Sequence, residues 1–186
     1  MKKWFALIVG LQVLFLVGQM AHYQIRVSSG ETLRLRVVPY DPRSLMMGQY
    51  MDLQYDISRV DAGRIHGASQ ARTDAHDLTG RVLYAAMRPG TPAARAEGFW
   101  LDRMPPRKPG IVYLRGRVAW HDSVLRVSYG LERYYIPERR THEAAELEKQ
   151  LASASRKPVI TAEVAVDSRG RGLVRRVLVD GKPIGY

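Results

Sequence analysis

The chain has 186 residues and a mass of 21.1 kDa, which suggests one domain plus an appendage. Its 46% hydrophobic and 25% charged residues are those of an ordinary globular chain and exclude wholesale disorder, a collagen repeat or a coiled coil. Its cysteine count is 0, which excludes disulfide, thiolate-zinc, iron–sulfur and cysteine-nucleophile chemistry, and its net charge of +11 directs attention to anionic partners.

Trp4 to Tyr23 is a run of 20 residues in which Gln12 and Gln19 are the clearly polar positions. At about 1.5 Å per residue it spans about 30 Å, one hydrocarbon thickness. Trp4 and Tyr23 stand where interfacial aromatic rings are favoured, and Lys2 and Lys3 precede the span, which by the positive-inside rule orients the N-terminus to the cytoplasm. A cleaved secretory signal would need small residues flanking its cut. Gly18-Gln19-Met20 lacks one at its end, and Gln19-Met20-Ala21 lacks one at its start. The pattern therefore predicts a cytoplasmic start over 1–3, a transmembrane anchor over 4–23 and an extracytoplasmic β-rich domain over 24–186. The simplest location is a bacterial inner (cytoplasmic) membrane, single-pass, with the domain in the periplasm or outside.

Beyond the anchor, Arg26 to Pro39 reads as a strand, with Leu33, Leu35 and Val37 alternating with Thr32, Arg34 and Arg36. Tyr40-Asp41-Pro42-Arg43 is turn chemistry. After Gly48, Met51, Leu53, Tyr55 and Ile57 point one way while Tyr50, Asp52, Gln54 and Asp56 point the other. Asp61 to Thr79 has no period and reads as a loop. Gly80 to Met87 is a short strand. Arg88 to Gly110 carries Pro89, Pro92, Pro105, Pro106 and Pro109 and reads mostly as loop, interrupted by Phe99-Trp100-Leu101. Ile111 to Trp120 and Val124 to Tyr129 form a hairpin around His121-Asp122-Ser123, with Val112, Leu114, Gly116, Val118 and Trp120 on one face and Arg115 and Arg117 on the other.

Thr141 to Ala154 reads as one short helix, capped by Thr141, with Glu143 and Glu146 near its N-terminus and an Ala144/Leu147/Leu151 stripe. Val159 to Val166 and Leu173 to Val179 are strands joined by the Asp167–Gly170 turn, and Asp180-Gly181 turns again. The expected fold class is α+β, mainly antiparallel β with one short helix, preceded by a single N-terminal transmembrane helix.

Val38 to Tyr55 resembles the defining segment of the GDYXXLXY protein family. Gly48, Tyr50, Leu53 and Tyr55 match the motif, and Asp41-Pro42-Arg43 is similar to its lead-in. Gln49 departs from it, standing where the motif has Asp. Glutamine carries no charge, so this position is neither a general base nor an anionic metal ligand in this chain. Tyr129 to Glu138, the Glu-rich helix and Ala165 to Gly170 are similar to the family's C-terminal pattern, so the resemblance covers nearly the whole chain. It implies a membrane-anchored bacterial protein without an established activity, often found beside polytopic membrane proteins.

Read from the residues alone, the first block is a turn-and-strand staple: Gly48 permits a tight approach, Asp41 bonds the turn, and Arg43 pairs with a carboxylate such as Asp41 or Glu132. Tyr129, Tyr134 and Tyr135 with Glu132 and Glu138 are either core tyrosines or the lining of a groove. The candidate partner- or ligand-binding set is Asp41, Arg43, Gly48, Gln49, Tyr50, Leu53 and Tyr55 with Tyr129, Glu132, Tyr135 and Glu138 opposite. The two blocks are expected to meet in space.

Enzyme signatures are weak, and the chain is more simply read as no enzyme. Ser44 to Gly48 lacks the spacing of a signal-peptidase serine box. Lys108, Lys149, Lys157 and Lys182 read as near prolines, on the helix or in turns, whereas a Ser–Lys mechanism requires a desolvated lysine in a strand. His22, His66, His76, His121 and His142 include no i, i+4 pair. Arg169-Gly170-Arg171-Gly172 lies in a hairpin, not before a helix. No cofactor and no metal are expected, and no catalytic residue is assigned.

Setting aside Lys2 and Lys3 leaves 27 basic and 18 acidic residues, a net +9, beyond the span. Export makes nucleic acid a poor partner. Anionic lipid is closer at hand, since Arg26, Arg34 and Arg36 follow the span directly. The leading expectation is a membrane-anchored accessory or interaction module docking with a polytopic membrane protein. The alternative is a binder of a small ligand or anionic envelope lipid, and a hydrolase comes third.

Overall fold

The computed structural model describes residues 2–38, 46–47, 50–66, 78–121, 124–135 and 158–184. The N-terminal helix, α1, runs Lys2–Ser29. It contains one segment, Lys3–Ile25, long and apolar enough to cross a membrane, and its large side chains from Trp4 to Ile25 are exposed rather than packed on the domain. The strand expected from Arg26 begins only at Glu31. Nothing in Gln24–Ser29 breaks a helix, and the first breaker is Gly30.

Thirteen strands follow among the described residues. They are β1 (Glu31–Val37), β2 (Met46–Met47), β3 (Tyr50–Asp52), β4 (Arg59–Asp61), β5 (Ile65–His66), β6 (Val82–Arg88) and β7 (Arg95–Leu101), then β8 (Val112–His121), β9 (Val124–Ser128), β10 (Arg133–Tyr135), β11 (Ile160–Val166), β12 (Gly172–Val179) and β13 (Lys182–Ile184). They form a four-stranded sheet β1-β11-β12-β13, a three-stranded sheet β10-β3-β2 and a six-stranded sheet β4-β9-β8-β6-β7-β5. Every pairing is antiparallel except β5 with β7. The architecture is thus mostly antiparallel β with one N-terminal helix. The short helix expected over Thr141–Ala154 lies outside the described residues.

A single apolar core joins the three sheets: Leu33, Leu35 and Val37 of β1 share it with Leu83, Leu114, Val118 and Val127 of the large sheet and with Met51 of the small one. The alternation Leu33/Leu35/Val37 inward and Thr32/Arg34/Arg36 outward follows the strand period of two. β11 is buried at every residue because both faces are covered. Ile160, Ala162, Val164 and Val166 enter the core. On the other face, Glu163 lies between arginines from both neighbouring strands, and the end of α1 lies against the same strand. Arg176 Nη2 donates to both Glu163 carboxylate oxygens at 3.1 Å, and Arg34 Nε stands 3.7 Å away.

The hairpin turns expected at Asp167–Gly170 and Asp180-Gly181 form as read. Gly170 sits at φ +79°, and a Cβ there would stand 2.8 Å from the Tyr113 carbonyl oxygen, so this position demands glycine. The close fit docks the hairpin on β8, where Arg115 N–H donates to the Gly170 carbonyl at 2.7 Å.

Two loop expectations are corrected. The last residue of β4 and the whole of β5 fall in the segment read as loop from Asp61; strands of two or three residues are too short to show a period. β7 occupies Arg95–Leu101, of which only Phe99–Leu101 stood out in sequence. Its alternation is blurred because Trp100 packs into a small second core with Ala86, Ile111, Tyr113 and Met104 on the opposite face of the sheet. A register shift between Ala86 and Met87 breaks the period further.

Candidate functional site

The run from Tyr50 to Tyr55 keeps its predicted facing: Met51, Leu53, Tyr55 and Ile57 are all buried. It is not one strand. β3 ends at Asp52, Tyr55 makes an isolated antiparallel bridge with Val37, and Asp56–Ser58 is a 3₁₀ turn. The segment thereby changes partners along its length, from β10 to the end of β1.

The second block lies directly alongside. β10 pairs with β3 in the register Arg133↔Asp52, Tyr134↔Met51 and Tyr135↔Tyr50. Leu53 N–H continues the ladder by donating to the Glu132 carbonyl at 2.6 Å. Two tyrosines lock the contact reciprocally. The Tyr55 hydroxyl donates to the Leu131 carbonyl at 2.8 Å, and the Tyr129 hydroxyl donates to the Ile57 carbonyl at 3.0 Å. The Glu132 carboxylate accepts from Tyr129 N–H at 2.6 Å and so closes the turn that carries Gly130.

The electrostatics follow from this packing. Burial, reinforced by the Glu132 charge, pushes the Tyr55 phenol far above its ordinary range. Burial, with Asp56 and Glu132 adding, does the same to Tyr129. Both phenols are neutral hydrogen-bond donors. Asp56 is also raised: desolvation outweighs the N–H of Ile57, the charge of Arg36 and its own backbone N–H.

Of the residues singled out in the sequence, Leu53, Tyr55 and Tyr129 are core residues, 0%, 2% and 6% exposed. Glu132 is half-buried, and Tyr135 is 67% exposed. Tyr50 is placed in β3 by its backbone. Asp41, Arg43, Gly48, Gln49 and Glu138 lie outside the described residues. A cavity of about 210 Å³ lies at the junction, walled by Asp52, Tyr55 and Ser58 from the first block and its continuation, by Glu132 from the second, and by Arg59 and Arg126. It is smaller than the roughly 300–1,000 Å³ of typical small-molecule sites. The Ser58 hydroxyl is buried and has no hydrogen-bond partner among the described residues.

Sequence reading missed Ser58, Arg59 and Arg126 because their approach depends on β4 pairing with β9, which places Arg59 opposite Arg126. It also missed a larger cleft of about 520 Å³ lined by Arg115, Arg117 and Arg171. The alternation of Arg115 and Arg117 was visible, but the docking that brings up Arg171 was not. Of the histidines weighed as ligands, His66 stacks on Trp100 with ring centroids 4.6 Å apart.

A family model described as GDYXXLXY protein matches residues 12–177, which include both motif blocks, the strands from β1 to β11 and most of β12. No curated protein and no solved structure matches the chain.

Proposed function

The chain belongs to the GDYXXLXY protein family, and from that premise we propose that it is a membrane-anchored extracytoplasmic accessory module that docks with an integral membrane partner. The observation that carries this reading is the division of labour in the fold. α1 keeps its large apolar side chains exposed, as a lipid-facing helix does, while the two motif blocks spend Leu53, Tyr55 and Tyr129 on internal closure around a small cavity. The outer rim of this junction is formed by β10, an edge strand of the small sheet among the described residues. Tyr135, on the edge-forming β10, is a large aromatic with most of its surface exposed, of the type enriched in protein interfaces. The anchor raises the local concentration of that rim beside its partner. In this reading the N-terminus, with Lys2 and Lys3, is cytoplasmic, the membrane is the bacterial inner membrane, and the domain stands outside it.

A photo-crosslinking amino acid at Tyr135 in the full chain tests the docking. The expected result is a discrete adduct with a membrane-embedded protein, absent when the crosslinker is placed at Lys108. Equal labelling from both positions, or adducts only with soluble proteins, would refute the docking surface. A C-terminal reporter active only in the periplasm checks the topology separately. Recovery of a soluble chain beginning near Tyr23 would remove the anchor.

A further inference from the structure

The cleft beside the Asp167–Gly170 turn is built from three elements. Arg115 and Arg117 stand two residues apart on β8, hence on one face of the strand and roughly 7 Å apart along it. Arg171 comes from the far side of the turn, which is docked on β8 through Arg115 N–H and the Gly170 carbonyl. Gly130 and Gly172 complete the wall with Ser128 and Tyr129, and none of the residues lining the cleft is acidic. The cleft is open to solvent, and its volume of about 520 Å³ is within the range of sites that take a small molecule or headgroup.

Two of the three arginines are held by side-chain hydrogen bonds. Asp167 accepts Arg171 N–H at 2.8 Å and Arg171 Nε at 3.0 Å, which fixes the stem of that guanidinium. Arg117 Nη1 donates to the Gly80 carbonyl at 3.2 Å. Asp167 offsets one of the three charges, which leaves the cleft strongly positive. Planar guanidinium groups donating in forks are the side chains best matched to the oxygens of a tetrahedral oxyanion.

The position in the fold adds a second argument. Gly30 is the single residue between α1 and β1, and a Cβ there would stand 3.0 Å from Val166 N and 3.1 Å from Val166 O and Ala165 Cβ. The helix end is therefore pinned to the end of β11 that leads into the Asp167–Gly170 turn, and the arginine cleft lies at that same end of the sheet.

We propose that the Arg115/Arg117/Arg171 cleft binds a phosphate group carried on a larger molecule. The shared chemistry is the phosphate oxyanion, and its source is either an anionic phospholipid headgroup of the bilayer beside α1 or a soluble phosphorylated compound. This inference is independent of the Tyr135 docking surface.

The test uses the full chain in an uncharged detergent, titrated calorimetrically with pyrophosphate as the probe. Arg115→Gln/Arg117→Gln is expected to weaken binding at least 10-fold, Arg117→Gln alone at least 3-fold, and Arg103→Gln, an exposed arginine outside the cleft, less than 2-fold. The single Arg117 variant, an exposed position, keeps the test valid if the double variant does not fold. The same titration in bilayer discs separates the sources. Weakening of at least 5-fold when 30% phosphatidylglycerol is added to phosphatidylcholine identifies the headgroup as occupant, and unchanged binding identifies a soluble phosphate. Absence of pyrophosphate binding in every arm, or an equal loss in Arg103→Gln, would overturn the site, the latter by assigning binding to overall charge. Incorporation into the discs reports on the anchor, so failure of the anchor reading and failure of the cleft are distinct results.

Discussion

Tyr55 and Tyr129 each close the other's segment. Tyr55 donates to the Leu131 carbonyl two residues beyond Tyr129, and Tyr129 donates to the Ile57 carbonyl two residues beyond Tyr55. The exchange satisfies two buried carbonyls at a place where the chain leaves one strand pairing for another. Unpaired, such carbonyls would each cost about 1–3 kcal/mol.

The reciprocity predicts coupled energetics. Tyr55→Phe and Tyr129→Phe should each destabilise by about 1–2 kcal/mol, and Tyr55→Ala by about 3–5 kcal/mol, as for truncation of a buried aromatic. Tyr55→Ala and Tyr129→Ala should be non-additive by at least about 0.5 kcal/mol. Urea unfolding of the four chains in a double-mutant cycle measures this. Strict additivity would show two independent staples.

Both phenols also predict alkaline sensitivity. Their folded pKa values lie above the ordinary 10.0, because burial disfavours the phenolate. The stability they contribute is fully present below pH 10 and is lost as pH rises toward the folded values. Stability should therefore decline above about pH 10, and the decline should be shallower in the Tyr55→Phe/Tyr129→Phe chain. Thermal unfolding across that range is the check.

Asp167 predicts the opposite limb. Desolvation raises its pKa, but the N–H groups of Arg171 and Arg169 and the Arg171 guanidinium outweigh it, so the folded value is lowered. Its contribution is present above the unfolded carboxylate pKa, near 4, and is lost as pH falls through the lower folded value. Asp167→Ala should cost about 2 kcal/mol at neutral pH, the scale of hydrogen bonds to a charged group, and should flatten stability in acid below about pH 4.

Gly170→Ala forces a side chain into the left-handed region and against the Tyr113 carbonyl. The backbone alone should cost about 1–2 kcal/mol. Because this turn docks Arg171 beside Arg115, pyrophosphate affinity should fall with stability. Gly181→Ala serves as the comparison, since that glycine also has positive φ but has open space around its Cβ position. It should lose stability while keeping affinity.

Glu163→Gln tests the charge buried between β1 and β12. Arg34 and Arg176 would keep a neutral acceptor in place of a carboxylate, and their side chains, 44% and 36% exposed, reach water. The expected cost is therefore modest, about 1–2 kcal/mol by chemical denaturation, well below the 3–5 kcal/mol of breaking a fully buried pair.

Local chemistry in the sequence was enough to determine the apolar helix, the alternating faces of β1 and of Met51–Ile57, the β8–β9 hairpin and the turns at Asp167–Gly170 and Asp180-Gly181. Each depends on residues within a few positions of one another: a hydrophobic run, a period of two, or an Asp or Gly suited to a turn. The motif pattern likewise identified the two blocks, and a buried Leu53/Tyr55 face needed a partner. Tertiary structure alone decided how that need was met. The pairing of β3 with β10, the crossed hydrogen bonds of Tyr55 and Tyr129, and the approach of Arg171 to Arg115 all join segments more than 50 residues apart. Such pairs leave no periodic trace, because what selects them is the shared burial of one core by three sheets. The same physics hid β7 behind flanking prolines and a second core, and turned Glu163, an ordinary charge in the sequence, into a carboxylate buried between arginines from two other strands.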